Sequence, residues 1–278
     1  MTHWTLEPLQ VVPILLLAAL YARRVRTLAG RGARPPAWRL ASFATGIGLL
    51  VAAVVSPVDF YSGESFAFHM TQHILLGDLA PLALLAGLTG PVLRPLLHFV
   101  HPLRRAFHPL VALALWALDL YAWHLPFLYE AALRHDSVHA LEHASFFAGG
   151  VLMWTPVLET LPMPEWFGTG AKLGYVAAVR IASTILGNVF IWPNHVFYGF
   201  YEHVARPFGM TALNDQRVAG SIMMIEGSTV TILALAWLFL RLAAEGELRQ
   251  ELLERGLDPR AVRRAVRYGR GQELGQAR

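Results

Sequence analysis

Long apolar blocks separated by short polar stretches set the pattern of this chain. A membrane-crossing helix needs about twenty mostly apolar residues. By that measure, helices are expected near 8–28, 38–56, 67–88, 109–126, 138–158, 172–193 and 218–242. The fold class that follows is all-α: a polytopic membrane protein built as a bundle of seven transmembrane helices. Residues 1–242 form that domain, and residues 243–278 form a polar, basic, amphipathic tail. Within the tail, Glu247 to Arg255 has helical composition and stops at Gly256, while Asp258 and Pro259 supply a capping residue and a first-turn proline for a second short helix.

Composition agrees with the pattern. Hydrophobic residues make up 55% of the chain and charged residues 15%, well below the charged quarter usual in soluble domains. Cysteine is absent, which excludes disulfides, thiolate metal sites and cysteine nucleophiles. Any metal ligands must come from imidazole, thioether, carboxylate or water. The first apolar block follows neither a basic stretch nor a small-residue cleavage signature, so it is expected to be a retained helix.

The net charge of +4 does not point to nucleic acid once the arginines are placed. The connections after the first, third, fifth and seventh expected helices hold nineteen Arg and Lys residues, and the opposite side holds three: Arg134, Arg206 and Arg217. Basic residues collect on the cytoplasmic side, so the N-terminus is expected outside and the tail in the cytoplasm. The tail's basic helix would then lie on anionic lipid or serve as a docking surface. Arg180, Asp78, Asp119 and Glu226 fall within expected spans, where a charge is costly unless paired or hydrated. Arg180 is expected to pair with one of the acids and fix the helix packing.

This topology gathers seven histidines at the outer face. His69 and His73 open the third helix, His124 closes the fourth, His139 and His143 open the fifth, and His195 and His203 follow the sixth. Residues four apart lie one turn above each other on one helix face, so two histidine pairs face one compartment and invite a shared ion. Such residues also occur simply as amphipathic side chains of the headgroup zone. His3 is outside on a flexible end, His135 reads as a loop residue, and His98, His101 and His108 lie among cytoplasmic arginines. The segment from Pro193 to Arg217, rich in aromatics, is expected to fold over the outer helix ends as a lid.

Imidazole suits copper, zinc, nickel and iron, and a thioether shifts preference toward Cu(I). Met70 beside the first pair and Met210 in the lid are candidate thioether ligands, although methionines in apolar helices are usually core filler. His139, Glu142 and His143 also fit an H-x-x-E-H pattern, in which zinc and a glutamate would activate water. An intramembrane zinc-dependent hydrolase is therefore a competing reading, as are a bis-histidine haem site and a structural scaffold that binds nothing.

Three stretches resemble one family: HMTQHILLGDLAPLALLAG at 69–87, WHLPFLYEAALRHDSVHALEHASFFAGGVLMWTPV at 123–157 and LNDQRVAGSIMM at 213–224. They are similar to the CtaG-like seven-helix assembly factors of caa3-type cytochrome c oxidase. The chain departs from that pattern at Ala80-Pro81-Leu82 and at Met223-Met224. The resemblance implies a non-catalytic protein of the bacterial cytoplasmic membrane, surrounded by lipid, that works with cytochrome c oxidase subunits and aids delivery or insertion of copper. On this reading His69, His73, His139 and His143 are the first candidate ligands. His124, His195, His203, Met70 and Met210 come second, Asp215 orients an imidazole, and Glu142 supports the site from behind. Whether zinc replaces copper, how many ions bind and the oligomeric state stay open at this point.

Overall fold

In a computed structural model, which describes residues 4, 6–95, 97–205 and 209–276, every regular element is helical. His3, Arg206 and Arg278, which entered the sequence reading, lie outside the described residues. The elements are α1 (Pro8–Ala29), α2 (Ala37–Val55), α3 (Pro57–Ser62), α4 (Phe66–Ile74), a π-turn (Leu75–Leu79), α5 (Ala80–Ala86), α6 (Gly90–Leu93), α7 (Leu97–Val100), α8 (Pro109–Trp123), α9 (Pro126–Arg134), α10 (Asp136–Leu158), α11 (Thr169–Ile191), α12 (Ala212–Glu254), α13 (Pro259–Arg267) and α14 (Gly271–Gln276).

Among the described residues, α1, α2, α11 and α12 are each long and apolar enough to cross a membrane. The bent pair α8 and α9 makes a fifth candidate. The other two expected spans differ for physical reasons. The third is one helical run from Phe66 to Ala86 interrupted by the π-turn. The fifth, α10, has the length at 23 residues, but its first turns carry Asp136, His139, Glu142 and His143.

The fourth expected helix ends earlier than its apolar run. It stops at Trp123, and after a 71° bend the chain continues as α9. Pro126 explains the break: its ring fits a first helical turn but not a helix interior. The seventh runs from Ala212 to Glu254 without interruption, so the first expected helix of the tail is its continuation. Asp258 then caps α13 by accepting the Ala261 N–H at 2.8 Å, with Pro259 at the first turn.

α4 and α10 run the same way, and their crossing places the site. A Cβ on Gly150 would collide with the Gly77 carbonyl oxygen and come within 2.8 Å of Pro81 Cγ. Glycine at 150 allows the backbones this close an approach, whereas a Cβ on Gly77 would meet only Phe146, at 3.4 Å. Gly150 is seven residues past His143 and Gly77 four past His73, so the same contact brings the histidine-bearing turns together.

The opposite end is tied by charge. Glu159, just past α10, ion-pairs with Lys172 at 2.9 Å, Arg241 at 3.3 Å and Arg267 of α13. Arg267 also donates to the Phe167 carbonyl at 2.8 Å, fastening α13 to the bundle. Glu159 holds a left-handed backbone at φ 53°, unfavourable for a non-glycine residue by about 1–2 kcal/mol. Its burial raises the carboxyl's pKa, but Lys172 and Arg267 more than offset this and leave it below the ordinary value.

The buried charges inside the bundle find mostly neutral partners. Arg180 was expected to pair with an acid. Instead it donates to Ser228 Oγ at 2.7 Å and the Met224 carbonyl at 3.2 Å, with no carboxylate in ion-pair reach among the described residues. Gly227 makes this possible, because a Cβ there would lie 2.6 Å from Arg180 Nη1. Asp119 accepts from Trp123 Nε1 at 3.1 Å and Asp78 from Trp154 Nε1 at 2.7 Å.

Candidate metal centre

The site starts from two i,i+4 pairs on facing helices. His69 and His73 project from α4 with ring centres 4.3 Å apart, and His139 and His143 from α10 with ring centres 4.0 Å apart. Across the crossing, His69 lies 5.4 Å from His139 and His73 6.1 Å from His143. Glu142 occupies the middle, fully buried. Its Oε2 is 3.5 Å from His69 Nε2 and its Oε1 3.5 Å from His73 Nε2. Glu142 therefore points into the cluster and is a candidate ligand in its own right, where the sequence reading set it behind the histidines.

Two overlapping donor groups result, each with its atoms within 4.8 Å of one another: His69, His73 and Glu142, and His139, Glu142 and His143. The chemistry of these atoms is unusual for a protein interior. His69 Nδ1 and Nε2, His73 Nδ1 and Nε2, His139 Nε2, His143 Nε2 and both Glu142 oxygens are buried and make no hydrogen bond. An unsatisfied buried polar group costs about 1–3 kcal/mol, and the 3.5 Å contacts of Glu142 with His69 and His73 offset that only in part. Lone pairs turned into one small buried volume are what cations need, and bound cations remove that cost. The donor set fits a borderline-soft transition metal.

The supporting residues are as specific as the donors. His143 Nδ1 donates to Gln10 Oε1 of α1 at 3.3 Å, which leaves the Nε2 lone pair facing the cluster. A ligating imidazole is commonly held this way through its other nitrogen. His124, at the break after α8, donates from Nδ1 to the Leu120 carbonyl at 2.6 Å and presents Nε2 to Met70 Sδ at 3.4 Å. Its ring centre is 6.2 Å from that of His73. Met70, His73 and His124 line a cavity of about 80 Å³ that also reaches Asp78 and Glu226.

An aromatic roof closes the site. α9 lays Tyr129 with its ring 4.9 Å from His69, stacked on Tyr198 at 3.9 Å. Tyr198 donates to the His124 carbonyl at 2.9 Å; Tyr201 donates to the Ser62 carbonyl at 3.0 Å and so accepts from Tyr129 at 3.0 Å. Tyr198 and Tyr201 come from the segment between α11 and α12, which Gln216 ties down by accepting the Phe197 N–H at 2.8 Å.

Of the other residues singled out in the sequence, His195 and His203 are exposed and belong to neither donor group, and Met210 is half-buried. Asp215 has a different role from orienting an imidazole. Fully buried, it accepts from Ser65 Oγ at 2.7 Å, Phe66 N at 2.8 Å and Ala67 N at 3.1 Å. It caps the start of α4 from the first turn of α12, because the carboxylate meets the free N–H groups of a helix end before it can reach any ring. Gln10, Gly77, Gly150 and Tyr129 were not identified in the sequence. The glycines had a readable signal, their helical spacing from His73 and His143; Gln10 and Tyr129 had none, because their role depends on the packing of α1 and on the bend before α9.

Comparison with known proteins gives this geometry its context. A sequence model of the cytochrome c oxidase caa3 assembly factor family (Caa3_CtaG) matches residues 19–245, and the chain belongs to that family. It is also similar to uncharacterized proteins of Mycobacterium bovis and Mycobacterium tuberculosis, each 25% identical over 255 aligned residues, and to one of Mycobacterium leprae at 23% over 254. These alignments take in 80% of this chain and 36% of each relative, so the chain spans about a third of the length of the curated relatives it matches. No solved structure matches.

Proposed function

From membership in the caa3 oxidase assembly factor family, we propose that the chain binds copper at the histidine and glutamate cluster and aids its delivery or insertion into cytochrome c oxidase. The observation that carries this reading is the set of buried donors without hydrogen bonds, from His69, His73, His139, Glu142 and His143. In this account the chain crosses the bacterial cytoplasmic membrane seven times, with α4 through α5 and α10 counted as spans. The cluster faces outside, and the arginine-rich end with α13 faces the cytoplasm. Copper enters from the outer compartment, meets the imidazoles, and as Cu(I) has the softer Met70 thioether beside His124 on the way out. His195, His203 and Met210, on or beside the roof segment, are proposed as transient contacts during entry.

Features of the site favour this reading over its competitors. A hydrolase of the H-x-x-E-H kind needs its glutamate beside a water open to substrate, whereas Glu142 is enclosed by four imidazoles. A bis-histidine haem needs room for its flat ring between the two imidazoles, and the Glu142 side chain sits between the α4 and α10 pairs. The test is made in cells expressing folded, inserted His69→Ala and His139→Ala chains. The expected result is an oxidase poor in copper; full copper loading with both variants sinks the proposal. A Glu142→Gln chain that still loads the oxidase while losing a peptidase activity would favour the hydrolase.

A further inference from the structure

Resting on the copper reading above, we infer that the centre is built for two ions bridged by the Glu142 carboxylate, and that it holds them best as a Cu(I) pair. Two donors on one ion, at about 2.0–2.2 Å each, lie no more than roughly 4.4 Å apart. Each three-residue group comes near that limit, with its donors within 4.8 Å of one another. No larger group meeting that limit forms among the described residues. The four imidazoles therefore separate into the α4 pair and the α10 pair, and Glu142 is the member common to both.

Glu142 has the form of a bridge. Neither oxygen has a hydrogen-bond partner; the carboxylate lies 3.5 Å from His69 and from His73 on α4, and one of its oxygens is also within 4.8 Å of the ligand nitrogens of His139 and His143 on α10, so the one group reaches both pairs. A carboxylate that ligated only one ion would leave one oxygen buried and unsatisfied. Two metals in shared sites typically sit about 3.5–4 Å apart, a separation that two histidine pairs on crossing helices can span. Each ion then has two imidazoles and one carboxylate oxygen.

Charge selects the oxidation state. Glu142 is the one carboxylate in either donor group, so a Cu(II) pair leaves a net charge of three inside the bundle and a Cu(I) pair a net charge of one. Buried uncompensated charge is costly, and the monovalent pair lowers it most. Met70, with its sulfur 3.4 Å from His124 Nε2, adds a soft donor at the edge of the same site.

The experiment is anaerobic Cu(I) titration of the detergent-purified chain against a chelator, with copper and protein measured together. A Met70→Leu chain is run beside it, so that copper on the sulfur is not counted. The expected result is two copper ions per Met70→Leu chain, falling to one when His139 and His143 are both changed to Ala, and a Glu142→Gln chain that binds the second ion at least tenfold more weakly. Oxidation of the loaded protein should give a spin-coupled Cu(II) signal. One copper per Met70→Leu chain, with an isolated Cu(II) signal, overturns the two-ion centre and leaves copper binding standing. No copper bound in any state overturns both.

Discussion

Replacing Asp215 by Ala should separate holding the helix from holding the metal. The carboxylate accepts the Phe66 and Ala67 N–H groups and the Ser65 hydroxyl, all at 2.7–3.1 Å and all buried. Loss of a helix cap costs about 1 kcal/mol, and a hydrogen bond to a charged acceptor contributes about 1.5–3 kcal/mol. Against this stands relief from keeping a desolvated carboxylate in the interior, so the net loss is about 3 kcal/mol, roughly a hundredfold in the ratio of folded to unfolded chain. The assay is thermal unfolding of metal-free and copper-loaded protein in detergent. Asp215→Ala should destabilise the metal-free chain, and fraying of α4 should weaken copper binding at least tenfold through His69 and His73. Asp215→Asn, which keeps one acceptor oxygen, should fall between. If Asp215→Ala loses copper affinity while the metal-free chain keeps its full stability, Asp215 acts on an imidazole after all and the capping argument is refuted.

Three other outcomes follow from the same structure. Gly150→Ala should force α10 away from the Gly77 carbonyl and cost more than tenfold in copper affinity, measured by chelator competition, while Gly149→Ala, whose Cβ would lie 3.1 Å from Asp119 Oδ2, should cost less. Gln10→Ala removes the acceptor for His143 Nδ1 and should weaken binding about tenfold, at the low end for a residue supporting a ligand. Glu159 has its pKa lowered by Lys172 and Arg267 against the opposing effect of burial. The unfolded group titrates higher, near 4.5, so its stabilisation is full above that value and is lost as pH falls through the lowered folded value. Thermal stability should therefore drop in acid, and Glu159→Gln should be less stable at neutral pH but show less of that acid loss.

The helices and the four central histidines were legible because both depend on local periodicity. Apolar blocks placed the starts of the first six expected helices to within three residues and that of the seventh to within six, and the i,i+4 spacing put each histidine pair on one face. The places where the sequence reading fell short all depend on distant chain. Pro126 turns α8 into α9 and sets Tyr129 over His69, which hydrophobicity alone does not register. Asp215 reads as a group that orients an imidazole until α4 is packed beneath it, 150 residues away in sequence. Arg180 suggested an acid partner because charge is costly in a membrane. Gly227 instead opened a neutral nest on α12. Glu142 was assigned behind the histidines because its place in H-x-x-E-H suggested a helper role. The meeting of two helices at Gly77 and Gly150 is what moves it into the centre.

The most direct measurement is transfer itself. Copper-loaded, detergent-purified chain is mixed with copper-free cytochrome c oxidase, and copper in the re-isolated oxidase is measured over time. The account predicts copper gain by the oxidase matched by loss from the chain, and no gain from a His69→Ala, His139→Ala double variant that stays folded. Copper that remains on the chain, or an oxidase that fills equally well from the double variant, would contradict it.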